Sequence, residues 1–202
     1  MKLRALVGQD LRRLADTHGV TVWKGDNLNK GWAGHTLERC LELPLNSAQA
    51  PNFGSWELKI VPLKVNPLGQ LCVKETMAIT MIDPVNVLQK PFPQSHLLAK
   101  LSKAVVCARI FQSREERSSV LAQVATFNLD DRAVRAQVED DYEEVRRVLR
   151  AYGFPALTGR MGVLVQPRTK GSGHGSTTRA FYARTIFVAH ILGLAQWPRQ
   201  LS

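Results

Sequence analysis

The spacing of apolar residues predicts helices at the start of the chain. Leucine and valine recur at three- and four-residue steps in residues 2–18, which is the spacing of an amphipathic helix. A polar loop follows at residues 24–30. Residues 31–43 then repeat the helical spacing up to Pro44, which ends the second helix.

The pattern changes to strand-like alternation after a loop rich in asparagine, proline and glycine. Residues 55–63 alternate between two faces, and Glu57 and Lys59 share one of them. A turn at residues 66–69 and a second apolar run at residues 71–82 complete a predicted β-hairpin.

Strands and helices alternate through the second half of the chain. The clearest helix begins at Asp130 or Asp131, whose carboxylate can cap free N–H groups, and Gly153 ends it. We find no linker that divides the chain, so we expect one α/β domain over residues 1–202, with a helical lobe at 1–50 and the sheet at 51–202. The later predicted elements are helix 96–101, strands 105–111 and 120–127, helix 130–151, strand 161–166 and helix 186–195.

Composition narrows the class of protein. The 202 residues include 27 Lys+Arg and 17 Asp+Glu, which gives a formal net charge of +10, and 45% of residues are hydrophobic. That apolar content disfavours intrinsic disorder, and the basic excess favours a polyanionic partner. No apolar run reaches the roughly 18 residues of a membrane span. We therefore expect no membrane partner and a cytoplasmic, nucleoid-associated protein without disulfides or a zinc site.

An acidic run lies on the helix predicted at residues 130–151. Such a run could hold a metal ion, but Arg146 and Arg147 lie at spacings that allow ion pairs along the helix. We therefore interpret the run as a solvated face. Its members are Glu139, Asp140, Asp141, Glu143 and Glu144.

Glu57 and Lys59 carry the candidate chemistry. A carboxylate beside a lysine on a rigid strand suits metal-assisted hydrolysis of a phosphodiester. The carboxylate can hold Mg²⁺, which polarises the phosphate and lowers the pKa of a bound water. The lysine can orient that water or stabilise developing negative charge. The pair by itself is common on exposed strand faces, so its meaning depends on its context.

Residues 167–179 form a stretch suited to contacting nucleic acid. It is basic, rich in glycine and hydroxyl side chains, and contains no acidic residue. Arginine and lysine contact guanine edges or phosphates, and glycine allows the backbone to approach closely.

Several motifs in sequence order supply that context. Residues 29–38 read Asn-Lys-Gly-Trp-Ala-Gly-His-Thr-Leu-Glu and precede Glu57-Leu58-Lys59 with Pro62. The further motifs are Lys74-Glu75-Thr76, the helix from Ser95 to Leu101, the acidic helix, residues 162–170, and Phe181-Tyr182. Together they resemble the PD-(D/E)xK nucleases over most of the chain, and within them the MutH-like mismatch-repair endonucleases and their restriction-enzyme relatives.

The resemblance implies a restriction-endonuclease-like core, in which a mixed central β-sheet is flanked by helices and two lobes form a cleft for double-stranded DNA. It implies Mg²⁺ as the cofactor, and a cognate methyltransferase or mismatch-repair proteins as further partners. The implied catalytic residues are Glu38, Asn52, Glu57, Lys59 and Lys100. The implied metal ligands are Asn52, Glu57 and the carbonyl of Leu58. The implied DNA contacts are Lys30, Thr76, Pro167, Arg168, Lys170, Tyr182 and Arg184.

The chain departs from the family pattern at Asn52, where the pattern has aspartate. Asparagine has the same shape but no charge, so we expect weak Mg²⁺ binding and impaired cleavage. An engineered inactive variant and a natural DNA binder both stay open as explanations. Residues 166–170 also differ from the Arg-Pro-Lys run of the mismatch-repair members, which favours a restriction-type enzyme.

Our main hypothesis is therefore a sequence-specific, Mg²⁺-dependent, restriction-type endonuclease whose activity is impaired by Asn52. The alternatives are a mismatch-repair strand-nicking endonuclease and an inactive sequence-specific DNA-binding module. A restriction enzyme cuts alone and usually on both strands, a nickase responds to its activator, and a binding module never cuts.

Overall fold

The computed structural model describes residues 2–42, 56–171 and 178–197. The strands are β1 (Trp23–Lys24), β2 (Asn27–Leu28), β3 (Glu57–Val65), β4 (Leu71–Val73), β5 (Met77–Met81), β6 (Lys103–Ile110), β7 (Leu121–Asn128), β8 (Val165–Thr169) and β9 (Arg179–Ala183). The α-helices are α1 (Leu11–Thr17), α2 (Trp32–Cys40), α3 (Pro84–Gln89), α4 (His96–Leu101), α5 (Arg132–Tyr152) and α6 (Thr185–Ile191). Short 3₁₀ helices lie at Lys2–Leu6, Phe92–Gln94 and Phe154–Ala156.

A four-stranded mixed sheet has the order β4-β3-β6-β7. Strands β3 and β6 are parallel, and the other neighbouring pairs are antiparallel. Along β6, Val106 packs into one hydrophobic cluster and Val105 and Cys107 into another, so the sheet is covered on both faces. The predicted α/β class with a mixed central sheet and flanking helices is confirmed.

A second, antiparallel sheet has the order β5-β9-β8. Helix α5 packs against it, and the rings of Tyr142 and Phe181 lie 5.7 Å apart. The predicted hairpin over residues 55–82 is therefore only partly correct. Strand β4 pairs with β3 as expected, but the chain leaves that sheet at residues 74–76 and continues as β5 in the second sheet.

The helix predicted over residues 2–18 is interrupted. Gly8 has a φ of +88°, and Asp10 begins α1 by accepting a hydrogen bond from the backbone N–H of Arg12. Asp10 also accepts the N–H of Ser119 at 2.8 Å, which fastens α1 to the start of β7. The predicted polar loop at residues 24–30 contains the β1–β2 hairpin.

Helix α5 agrees closely with its prediction, and Asp131 caps it by accepting two backbone N–H groups. The interpretation of its acidic run as a solvated face is wrong for Asp141, which is 3% exposed. Asp141 lies on the same side as Val138 and Val145 because these residues follow the helical repeat. Arg146 does form an ion pair with Glu143, and it also donates to backbone carbonyls of α3.

Two further features bear on the sequence predictions. In the parts of the chain that the structure describes, no helix combines the length and apolar character needed to cross a membrane. The three cysteines, Cys40, Cys72 and Cys107, are free thiols. Burial raises the pKa of Cys107 to about 12, so its thiol is protonated at neutral pH.

Candidate active site

Glu57 and two lysines form a buried ion cluster at the start of β3. The Glu57 side chain is 5% exposed. Its Oε1 lies 2.8 Å from Nζ of Lys59, and its Oε2 lies 2.9 Å from Nζ of Lys100. Each carboxylate oxygen therefore faces one ammonium group, which offsets the cost of burying the carboxylate.

The third member of this cluster comes from the helix that precedes β6. Ser95 caps α4 by accepting the N–H of Leu98, and Leu97 and Leu101 anchor the helix in the core. This anchoring places Lys100 in the last turn of α4. Because β6 follows at once and pairs in parallel with β3, the end of α4 lies beside the start of β3.

The surroundings of Lys59 lower the pKa of its ammonium group. Burial lowers the pKa of its ammonium group, Glu57 opposes that shift, and the positive charges of Lys100 and Lys170 add to it. Lys59 also donates to the carbonyl oxygen of Ile79 at 3.3 Å. The balance eases the release of a proton from Lys59 compared with an exposed lysine.

The other two predicted catalytic residues have different positions. Glu38 is half-buried on α2, a helix that packs against β3. A Cβ added at Gly34 of α2 would lie 3.9 Å from Cγ2 of Ile60 on β3, so the helix lies close to this strand. Asn52 lies outside the described residues, so its position relative to Glu57 stays a prediction.

The donors present have the right chemistry for a hard divalent cation, but they are few. Glu57 offers carboxylate oxygens, and the backbone carbonyl of Leu58 is the kind of oxygen ligand that Mg²⁺ accepts. Within residues 2–42, 56–171 and 178–197, no three His, Cys, Asp or Glu side chains cluster closely enough to hold a metal. The two ammonium groups on Glu57 also oppose a cation, so the residues fit a metal only with a further ligand such as Asn52.

A second polar group lies on the three-stranded sheet. Nη1 of Arg168 donates to Oγ1 of Thr76 at 2.9 Å, and its Cζ lies 5.8 Å from the ring of Tyr182. Thr76 directly precedes β5, Arg168 is on β8, and Tyr182 lies on β9 between them. Burial raises the pKa of Tyr182, so the phenol stays protonated and can donate a hydrogen bond. Three of the predicted DNA contacts are therefore neighbours in space.

The remaining predicted DNA contacts differ in whether their side chains are available to bind DNA. Lys30 and Lys170 line one cavity together with Tyr182. Pro167 is buried within β8, which argues against direct contact with DNA. Arg184 uses Nη2 to donate to the carbonyl oxygens of Gly159 and Met161, so its guanidinium is already engaged in holding the chain before β8.

Sequence reasoning missed the role of Asp141. Its carboxylate accepts the backbone N–H groups of three consecutive residues at 2.7–2.8 Å and a side-chain N–H of Gln137. The three are Val163, Leu164 and Val165. The signal was available in the sequence, because Asp141 interrupts an otherwise apolar helical repeat. The residue fixes the segment from which β8 and Arg168 continue.

Comparisons with known proteins show which proteins this chain is similar to. A family model described as DNA mismatch repair enzyme MutH matches residues 41–130. That range contains Glu57, Lys59 and Lys100. The DNA mismatch repair protein MutH of Vibrio cholerae is 25% identical over 209 residues, covering 95% of this chain and 92% of the relative. The chain is therefore similar to MutH-like nucleases over most of its length.

Two further MutH relatives extend the similarity beyond the matched range. The protein of Vibrio parahaemolyticus is 27% identical, covering 93% of this chain and 88% of its own. The protein of Haemophilus influenzae is 25% identical, covering 94% of this chain and 90% of its own. These matches favour the mismatch-repair alternative over the restriction-type enzyme that residues 166–170 led us to expect.

Proposed function

We propose that this protein is a DNA strand-nicking endonuclease of the mismatch-repair type. The observation that carries the proposal is the buried cluster in which Glu57 holds Lys59 at 2.8 Å and Lys100 at 2.9 Å. The MutH relatives supply the substrate class and the process, and the net charge of +10 suits duplex DNA. The partners are accordingly double-stranded DNA and mismatch-repair proteins.

The proposed roles follow from position. Glu57, the Leu58 carbonyl and the side chain of Asn52 would hold Mg²⁺, which would supply Lewis-acid activation of the phosphate and of a water molecule. Lys59 orients that water and accepts or returns a proton at Nζ, which its lowered pKa favours. Lys100 stabilises negative charge that develops on the phosphate, and Glu38 supports the water from α2.

DNA binding is assigned to the second polar group and the neighbouring cavity. Arg168 and Tyr182 read base edges, with Thr76 fixing the guanidinium of Arg168. Lys30 and Lys170 bind phosphates. A cognate methyltransferase remains part of the restriction-type alternative only.

The decisive experiment is a supercoiled-plasmid assay with Mg²⁺ that compares the protein with its Asn52→Asp variant. We expect the aspartate variant to produce nicked circles more rapidly and to respond to a mismatch-repair activator. The matched control is the double variant Asn52→Asp, Lys59→Ala, which should lose that gain. Linear products without an activator would instead support a restriction enzyme. Sequence-specific binding without cutting by any variant would support a DNA-binding module.

A further inference from the structure

A cavity of about 990 Å³ opens between the β1–β2 hairpin and the end of β8. Among the residues that the structure describes, three cationic side chains line it, those of Lys30, Arg114 and Lys170. The described residues that line the cavity include no acidic side chain.

Arg114 is the member of this set that no motif indicated. It is exposed, and it lies in the connection between β6 and β7, far in sequence from the other residues of the cavity. Its Nη2 donates to the carbonyl oxygen of Asp26 at 3.4 Å, and its Cζ lies 5.7 Å from the ring of Trp23. Both partners belong to the β1–β2 hairpin, so the β6–β7 connection and the hairpin meet at this side chain.

These contacts orient the guanidinium without neutralising it. A backbone carbonyl and an aromatic face carry no formal charge, and an arginine side chain has five N–H donors of which Asp26 takes one. A positioned guanidinium with donors to spare is a good partner for a phosphate, which it can hold through two parallel hydrogen bonds. An exposed and screened position of this kind contributes through charge more than through selection among bases.

We propose that Arg114 binds a phosphate of the DNA backbone and, with Lys30 and Lys170, forms a cationic track across this cavity. The proposal rests on the assignment of duplex DNA as the substrate. It adds a contact from the β6–β7 connection to those expected from the segment around β8 and β9. Trp23 and Asp26 act as positioning residues because they set the direction of the Arg114 side chain.

The test is metal-free binding of a fluorescein-labelled duplex, followed by fluorescence anisotropy over a range of salt concentrations. We expect Arg114→Ala to weaken binding equally on two unrelated duplexes. It should also make the plot of log K against log salt shallower by about 0.9, the slope of one phosphate contact. Arg114→Lys should keep the slope because it keeps the charge. Arg117→Ala, three residues later in the same connection and outside the cavity lining, is the matched control and should leave both quantities unchanged.

The outcomes separate this proposal from the proposed function. If the unmodified protein binds duplex DNA and Arg114→Ala shares its affinity and slope, the role of Arg114 is overturned and the nuclease assignment stands. Unequal weakening on the two duplexes would make Arg114 a base-reading residue and also contradict the proposal. If the unmodified protein binds no DNA at any salt concentration, both the proposed function and the role of Arg114 are overturned. Circular dichroism of each variant establishes that it is folded.

Discussion

The two main sheets differ in where their charged side chains lie and in what those side chains contact. On the four-stranded sheet, Glu57 is buried and its two carboxylate oxygens face the ammonium groups of Lys59 and Lys100. On the three-stranded sheet, the exposed Arg168 faces outward, while the buried Asp141 binds backbone N–H groups of the segment leading to it. In the first sheet the buried charges are themselves the candidate chemical groups. In the second, a buried charge supports an exposed one.

This difference predicts different sensitivities to mutation. Removing the single carboxylate of the buried cluster takes away the counter-ion that its two ammonium groups share. Removing an exposed recognition side chain leaves the fold intact and changes only what is recognised. The supporting residues of the second sheet should behave like those of the first, because they too are buried.

The largest expected effect comes from removing the central carboxylate. Glu57→Gln removes the buried carboxylate that Lys59 and Lys100 share, so we expect a loss of about 3–5 kcal/mol in the free energy of unfolding. Urea denaturation measures it. The control is Glu42→Gln, which removes an exposed partner of Lys2 and should cost less than about 1 kcal/mol. Equal losses in the two variants would show that burial does not distinguish these ion pairs.

Gly162 precedes the segment that Asp141 binds and that continues to Arg168. Substituting Gly162 should reduce the free energy of unfolding nearly as much as substituting Glu57. This glycine has a φ of +72°, and an added Cβ would lie 1.8 Å from the carbonyl oxygen of Val165. We expect Gly162→Ala to cost about 3 kcal/mol through strain and displacement of the segment. Gly69 has a φ of +76° with open space around it, so Gly69→Ala should cost only about 1 kcal/mol. Thermal unfolding of both variants separates the steric contribution from that of the backbone angle.

The prediction for an exposed charged side chain concerns Arg168. If Arg168 reads a base edge, Arg168→Ala should reduce discrimination at one base pair by about 1–3 kcal/mol and leave the unfolding free energy nearly unchanged. A panel of duplexes with single base-pair changes measures the discrimination. Uniform weakening across the panel would identify Arg168 as a phosphate contact instead.

The smallest expected effect concerns the attachment of α1 to β7. Burial tends to raise the pKa of Asp10, but hydrogen bonds from the N–H groups of Ser119 and Arg12 outweigh it, and the net pKa is lowered. The stabilisation that Asp10 provides is therefore fully present above the carboxyl pKa of the unfolded chain. It is lost as the pH falls through the lower pKa that Asp10 has in the folded protein. Because Asp10 is partly exposed, its contribution to the free energy of unfolding is about 1 kcal/mol.

The measurement is the unfolding free energy of the unmodified protein and of Asp10→Asn, at pH 7 and at about pH 3, which is below the ordinary aspartate pKa of about 3.9. The difference between the two proteins should shrink at the lower pH. A difference that is constant with pH would show that the charge of Asp10 contributes nothing beyond its hydrogen-bonding shape.

The spacing of apolar residues and the capping residues predicted a helix or strand correctly where its tertiary contacts did not alter the local preference. Helix α5 was predictable because its apolar repeat and its Asp131 cap act within one helix. The single hairpin expected over residues 55–82 failed because apolar alternation is the same whichever sheet a strand joins. Glu57 and Lys59 could be paired by their spacing, and Lys100 entered only through the family resemblance, since 41 residues separate it from Lys59.

The sequence by itself determined the α/β class, the basic charge, and the order of motifs that resembles the MutH-like nucleases. It could do so because periodicity, charge and residue order are properties of the chain. The tertiary structure alone decided that Lys100 meets Glu57, that Asp141 supports the segment before β8, and that Arg114 meets the β1–β2 hairpin. Each of these contacts joins residues that are distant in sequence, and packing of the sheets and helices brings them within hydrogen-bond distance.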